Sequence, residues 1–317
     1  MDMRHYILAT AAFGLALLVG GCGSKDTKNS TEPSSTELAT KQQTQQYTDG
    51  PAMWLVSDED TKIYLFGTVH ILKPEMQWQT DAFNTAFDAS DAVYLEADLS
   101  EEVQASLAAL LPPLAFYSDG RTLMGVLDAA DEKEVLEAAE ILGLQPETLN
   151  MMKPWFAGIA LSQIHMVKTG YQADSGVEKI IAAKAKLSQK PMRYFETAEQ
   201  QLHFLAGLPE ASQIEFLVAG AVAIEDQPEM LDELVADWAE GDVQGIADLI
   251  ADEDMMGDGV VYDVLLVKRN RTWTRTIDQL LEDEAGTFMI AVGAAHLAGP
   301  DSIIVMLQNA GETVIRQ

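Results

Sequence analysis

The chain has 317 residues, 50 of them acidic and 20 basic, for a formal charge of −30. That balance excludes nucleic acid as a partner, because phosphate binding needs a basic surface. The only cysteine is Cys22, which excludes disulfides within the chain and thiolate metal sites.

Met1 to His5 carries Arg4, Tyr6 to Val19 is an apolar run, and Gly20-Gly21-Cys22 closes it. These are the charged head, short core and small-residue cleavage site of a secretory signal over residues 1–21. The core falls roughly five residues short of a comfortable spanning helix. Leu18-Val19-Gly20-Gly21-Cys22 resembles the lipobox of bacterial lipoproteins. The resemblance implies lipidation of Cys22 and, with Gly23 rather than Asp after it, an outer-membrane lipoprotein facing the periplasm. Acidity disfavours adsorption to anionic lipid, so membrane attachment is expected through the lipid anchor alone. Residues 22–49 are Ser-, Thr-, Gln-, Lys- and Asp-rich and cannot bury enough apolar surface to offset their ordering entropy. They are expected to form a disordered tether. Residues 50–317 are apolar enough for one large domain or two closely packed lobes.

Within that part, Met53 to Val56 and Lys62 to Phe66 flank an acidic turn, Ser57 to Asp60, and predict a hairpin leading into Gly67. Pro74 and Glu75 predict a helix start, running to about Ala89 with Trp78, Phe83 and Phe87 on one stripe. Ala92 to Leu95 reads as a buried strand ending at Glu96. Helical periodicity follows over Glu101–Leu111, Thr122–Leu142, Pro154–Lys168 and Ser175–Ala185, punctuated at Pro112-Pro113, Gly120, Gly143 and Gly170. Pro191 to Phe195 is a further strand ending at Glu196, and helix fills most of Ala198 to Glu282. Thr287–Val292 and Thr313–Ile315 are the last strands, with a helix from about Pro300 to Asn309 between them. The alternation predicts an α/β fold, a mixed central sheet with a large helical insertion over about residues 100–285.

One long-range repeat stands out. Ile63 to Glu75 and Met289 to Asp301 superpose as apolar strand, Gly, two residues, His, an apolar residue, two spacers, Pro and acid. Gly67 and Gly293 are expected to turn the chain at the carboxyl end of a strand, each followed by a histidine, His70 or His296, ahead of a helix start. Ligands bind at such strand ends in open α/β sheets, and two such turns on adjacent strands bring both imidazoles into one cleft. His165 and His203 lie among helical apolar residues and are expected to pack there. The Met151-Met152 and Met255-Met256 pairs are expected to pack in the core or between lobes.

Gly67-Thr68-Val69-His70, Glu96, Phe195-Glu196-Thr197 with Gln200-Gln201, Arg269-Asn270 and Gly293-Ala294-Ala295-His296-Leu297 together resemble the TraB/GumN family, which includes the Tiki proteases. The resemblance spans roughly residues 50–317. It implies an α/β fold with helices on both faces of the sheet, related to erythromycin esterases and haem-binding ChaN-like proteins. For the Tiki branch it implies a peptidase dependent on a divalent metal such as Mn, Co or Zn, whose identity the sequence leaves open. Carried onto this chain, His70, His296 and Glu96 become ligand candidates, leaving an open position for a water that the ion acidifies. Glu196 and Glu178, the latter in Gly176-Val177-Glu178, are candidates for the general base. Arg269-Asn270 is a candidate oxyanion or substrate-carboxylate clamp. The expected substrate is a peptide or another small molecule with an amide or ester bond. Two other readings stay open. One is a periplasmic binding protein that sequesters a peptide, haem or a metal; the other is a metal-free esterase-like site with His70 as base.

Overall fold

The computed structural model describes residues 50–251 and 259–317. The expected signal segment, Cys22, the tether and the Met255-Met256 pair lie outside these residues. Asp58 closes the first hairpin by accepting the N–H groups of Asp60 and Thr61. Strand β1 (Met53–Ser57) thereby lies antiparallel to β2 (Thr61–Thr68). With β3 (Ala92–Ala97), β4 (Met192–Glu196), β5 (Gly286–Gly293) and β6 (Val314–Arg316) they form one sheet of order β4-β3-β5-β2-β1-β6. The four strands from β4 to β2 run parallel, while β1 is antiparallel to both β2 and β6.

Burial on both faces explains why these strands read as nearly unbroken apolar runs. Along β3 and β5, Val93, Leu95, Met289 and Ala291 enter one core, while Ala92, Tyr94, Phe288, Ile290 and Val292 enter the other. The first core is closed by α1 (Asp81–Ala89), α6 (Val177–Leu187) and α9 (Met230–Glu240), through Phe83, Ile181 and Trp238 among others. The second is closed by α11 (Lys268–Asp283) and α12 (Ile303–Ala310), through Trp273, Ile277 and Leu307. Helices therefore cover both faces. A third, purely helical core joins α4 (Ala129–Ile141), α5 (Pro154–Lys168) and α8 (Glu210–Asp226). Further helices among the described residues are α2 (Glu101–Ala115), α3 (Leu123–Val126), α7 (Ala198–Ala206), α10 (Val243–Ala251) and a short turn at Val260–Tyr262. A π-helical turn, Asp263–Val267, feeds directly into α11. Among the described residues no helix is long and apolar enough to cross a membrane.

Several expected boundaries move. The helix expected from Pro74 begins only at Asp81, because Thr80 caps it by accepting the N–H of Phe83 at 3.1 Å. Trp78 precedes the helix and is still buried, 4.8 Å from the Phe83 ring. The helix expected from Pro300 likewise waits for the cap at Ser302. Neither Pro-acid pair opens a helix. Pro112 and Pro113 sit inside α2 instead of ending it; Ala108 and Ala109, whose carbonyls lose their helical partners there, are exposed to water. The stretch expected as one helix over Thr122–Leu142 is broken by a fresh cap at Asp128, which accepts from Ala130 and Asp131. His203 is exposed on α7, its Nδ1 2.8 Å from the carbonyl of Glu199, and Met151 is 55% exposed; neither packs as expected.

The moved boundary is testable. Thr80→Ala is expected to cost about 1 kcal/mol in urea denaturation. Pro74→Ala, at an exposed position outside the helix, should stay within about 0.5 kcal/mol of the parent.

Candidate functional site

Strands β2 and β5 are parallel neighbours, with Thr68 opposite Gly293, so the two histidine segments leave the same end of the sheet side by side. Glu96 lies in β3 on the other side of β5, and Glu196 ends β4 beyond it. Each candidate is thus delivered to the carboxyl edge by a different strand. His296 leaves from a single 3-10 turn, Ala294–Leu297, and His70 from an irregular bend. The glycines act differently from the turn-making role expected of them. Gly67 lies within β2 and lacks a positive φ; a Cβ there would meet Cα and Cβ of Ala294 at 3.3 Å. Its missing side chain therefore lets the second histidine turn press against the first strand. Gly293 has φ −49°, open to any residue.

Each imidazole is held through Nδ1. Glu178, in the first turn of α6, lies 2.7 Å from Nδ1 of His70, and the same carboxylate oxygen accepts the hydroxyl of Thr68. The backbone fastens this pair, since the Val177 N–H donates to the Val69 carbonyl at 2.9 Å. Gly176 permits it, because a Cβ there would fall 2.1 Å from the His70 carbonyl oxygen. The Trp238 indole N–H donates to the Gly67 carbonyl at 2.8 Å. Nδ1 of His296 lies 2.5 Å from Oδ1 of Asn270, whose amide in turn donates to the Asp301 carbonyl at 2.7 Å. With Nδ1 committed in both rings, each Nε2 carries the inward-facing function. Nε2 of His70 is buried without a hydrogen-bond partner.

Arg269 joins the rest. Its Nε donates to both Glu196 oxygens at 3.0 and 3.1 Å, and Nη2 donates to Glu96 at 2.6 Å and Glu196 at 3.0 Å. Nη1 donates to the Leu265 carbonyl at 3.0 Å and lies 3.1 Å from Nε2 of His296. All five guanidinium N–H groups are engaged internally. The guanidinium plane also lies against Trp273, 4.6 Å from its centroid, and that indole stands 4.4 Å from the His296 ring. Glu96 completes its shell with the Gly293 N–H at 2.8 Å and Gln201 at 3.2 Å.

Charge follows from these contacts. Burial opposes ionisation of Glu96, but Arg269 and the two histidines hold its carboxyl down at about 2. Burial pushes Glu196 up despite Arg269. Burial and the Arg269 charge drive His296 down to about 3, so it is neutral, with its proton on Nδ1 and its Nε2 lone pair towards Arg269. Burial also works against a proton on His70, yet Glu178 raises it to about 9. The two rings are thus shifted in opposite directions, His70 by an acid and His296 by burial and a cation.

The structure gathers His70, His296, Glu96, Glu196, Glu178, Arg269 and Asn270 into one buried cluster. Thr68 and Gln201, which belong to the motifs but were given no role of their own, join it, as do Trp238 and Trp273, which no motif contained. Membership of those motifs was the signal for Thr68 and Gln201, while the two indoles come from α9 and α11. Nε2 of His296 and Oε1 of Glu96 are 3.7 Å apart. Among the described residues, however, the one trio whose ligand atoms all lie within 4.8 Å of one another is Glu134, Glu137 and Glu225, at the surface on α4 and α8.

A mixed α/β sheet carrying a buried histidine–carboxylate–arginine cluster at its parallel strand ends defines the class of protein. The profile of the TraB/PrgY/gumN family matches residues 52–316, and the chain belongs to that family. It is 22% identical over 258 residues to a protein of Escherichia coli (strain K12) named "Uncharacterized protein YbaP", covering 81% of this chain and 92% of the relative. A Shigella flexneri protein of the same name gives the same identity and coverage. No solved structure matches the chain.

Two substitutions probe this construction. Arg269→Met leaves Glu96 and Glu196 buried without their cation and is expected to cost about 3–5 kcal/mol in urea denaturation. Gly176→Ala drives a methyl into the His70 carbonyl and should cost about 1–3 kcal/mol by the same measurement.

Proposed function

We propose that the chain is a divalent-metal-dependent hydrolase of the cell envelope that cuts a peptide or another amide or ester substrate. What supports the reading is that both candidate ring ligands are oriented through Nδ1 by an acceptor, Glu178 for His70 and Asn270 for His296. Histidine ligands are held in this way, with a carboxylate or carbonyl fixing the tautomer and turning Nε2 to the ion. The buried, unpartnered Nε2 of His70 is the atom such an ion would satisfy. The charge count agrees. Glu96 and Glu196 share the guanidinium of Arg269 while Glu178 pairs with His70, so a divalent cation would displace the His70 proton and meet three carboxylates offset by one guanidinium. The donor set of two imidazoles and Glu96 therefore fits in kind. Since Arg269 Nη1 already uses the His296 Nε2 lone pair, guanidinium and ion compete for it.

When bound, such an ion acidifies a coordinated water and polarises the scissile carbonyl. The chain's own groups do the rest. Glu178 and Thr68 hold the His70 ring, and Asn270 with Asp301 holds His296. These are positioning roles for Glu178 and Asn270. Glu196 is the carboxylate proposed to take the proton from water and return it to the leaving group, since burial raises its proton affinity despite the Arg269 donors. Arg269 bridges Glu96 and Glu196, and with its five donors engaged it stabilises the site internally. The Tyr6–Val19 leader and Cys22 support export and lipid anchoring, and with them a location at an outer membrane facing the periplasm is part of the proposal.

The Arg269 network also satisfies Glu96 and Glu196 without an ion, which favours a second reading: a metal-free hydrolase with His70, steered by Glu178, as base in the deprotonated form it reaches as pH rises towards about 9. Residues 50–317 dialysed against Mn, Co or Zn and measured for metal content separate the two. About one ion per chain is expected, lost in the His70→Ala/His296→Ala variant; retention at parental stoichiometry sinks the ligand assignment. Glu178→Gln should keep the fold and weaken metal affinity by about 10–100-fold. Chelator-insensitive turnover would instead establish the metal-free reading, and peptide retention without fragments would establish a binding protein.

A further inference from the structure

β4 is the edge strand on the side of the sheet where the cluster lies, and its last residue is Glu196. The Val93 N–H donates to the Pro191 carbonyl, which fixes the parity of the strand. Successive residues of a strand present their backbone groups to opposite sides, so Arg193 and Phe195 face β3 while Met192 and Tyr194 face outward. Among the described residues no backbone hydrogen bond engages those outward groups, and Tyr194 is 36% exposed. Open edges are commonly blunted by charge, proline or a bulge. Pro191 stands before the strand, and the one basic side chain within it, Arg193, is turned away to Tyr94 at 2.6 Å and Glu284 at 2.7 Å. The edge is left available, beside the site.

We propose that β4 is a docking edge for an extended peptide, which adds to the sheet as a further strand and is led along it to Glu196. This rests on the hydrolase reading and names its substrate class: a segment recognised through its backbone, with little demand on side-chain identity. Alternating outward N–H and C=O groups are complementary to another strand, and strand addition is an established way of holding peptides. The charge of −30 steers basic peptides towards the surface and opposes filling of the edge by a second copy of the chain.

The test uses a fluorescein-labelled peptide of repeating Lys-Val-Thr-Val, about twelve residues long, enough to match a strand with overhang. Binding is followed by anisotropy, cleavage by mass spectrometry, and β4 amides by hydrogen exchange in the same samples. The Met192 and Tyr194 amides are expected to gain protection when peptide is added. Tyr194→Pro removes an outward N–H without touching the ladder, a change that edge strands tolerate. It should weaken binding about tenfold or more, while Tyr194→Ala, which keeps the backbone, stays within about twofold. Protection and binding without fragments would uphold the docking edge and remove the hydrolase. Cleavage without protection, or with Tyr194→Pro unaffected, would overturn the docking edge and leave the hydrolase standing. Absence of peptide binding overturns it too, as does protection that depends on protein concentration without peptide.

Discussion

The Arg269 guanidinium is the contact on which the rest of the site depends. Three strands, β3, β4 and β5, deliver Glu96, Glu196 and the His296 turn to one edge, and none of the three could bury its group alone. A carboxylate withdrawn from water costs several kcal/mol unless a cation and hydrogen bonds replace its solvent shell. One planar group with five donors answers both acids and the ring nitrogen at once, where the point charge of a lysine would satisfy fewer partners. Packed against Trp273, the guanidinium is also fixed in orientation. Strand edge, helix α11 and buried cluster are therefore one electrostatic unit.

A second unit holds His70, and it is built differently. Its components are α6 and α9, which pin the turn through backbone hydrogen bonds, a close glycine and an indole. The helices between the strands thereby do more than cover the sheet. Helix α6 supplies the carboxylate that orients one ring, and α11 supplies the arginine and asparagine that hold the other. The two imidazoles are matched in sequence and in strand position but unequal in electrostatics, one beside an acid and one beside a cation.

Much of this was legible in the sequence. The strands were visible as apolar runs ending at Glu96, Glu196, Gly67 and Gly293, and the Gly-x-x-His repeat pointed to adjacent strands because its two copies share one frame. The order of the sheet was not legible, since parallel pairing of β2 with β5 joins residues more than two hundred positions apart through a contact no local pattern encodes. Helix starts were misplaced where proline and acid were given more weight than a capping hydroxyl; Thr80 and Ser302 satisfy free N–H groups, which Pro74 and Pro300 do not. The partners of Arg269 were unreadable for a similar reason. A helix-end arginine looks the same in sequence whether it reaches solvent or a buried acid.

The π-helical turn before α11 has a consequence for how this site tolerates change in chain length. The Lys268 N–H reaches back to the Asp263 carbonyl, one residue further than in an α-helix, so the turn holds one residue more than regular winding requires. Each residue advances a helix by about 100°. Removing one residue from Asp263–Val267 would restore ordinary winding and rotate everything before it relative to everything after it by that angle. Either the segment leading in from Gly259 or the pair Arg269 and Asn270 must then change the face it presents. The extra residue works as a phase setter: it lets the upstream chain keep its own packing while two adjacent side chains point to opposite tasks, one to the acids and one to the ring.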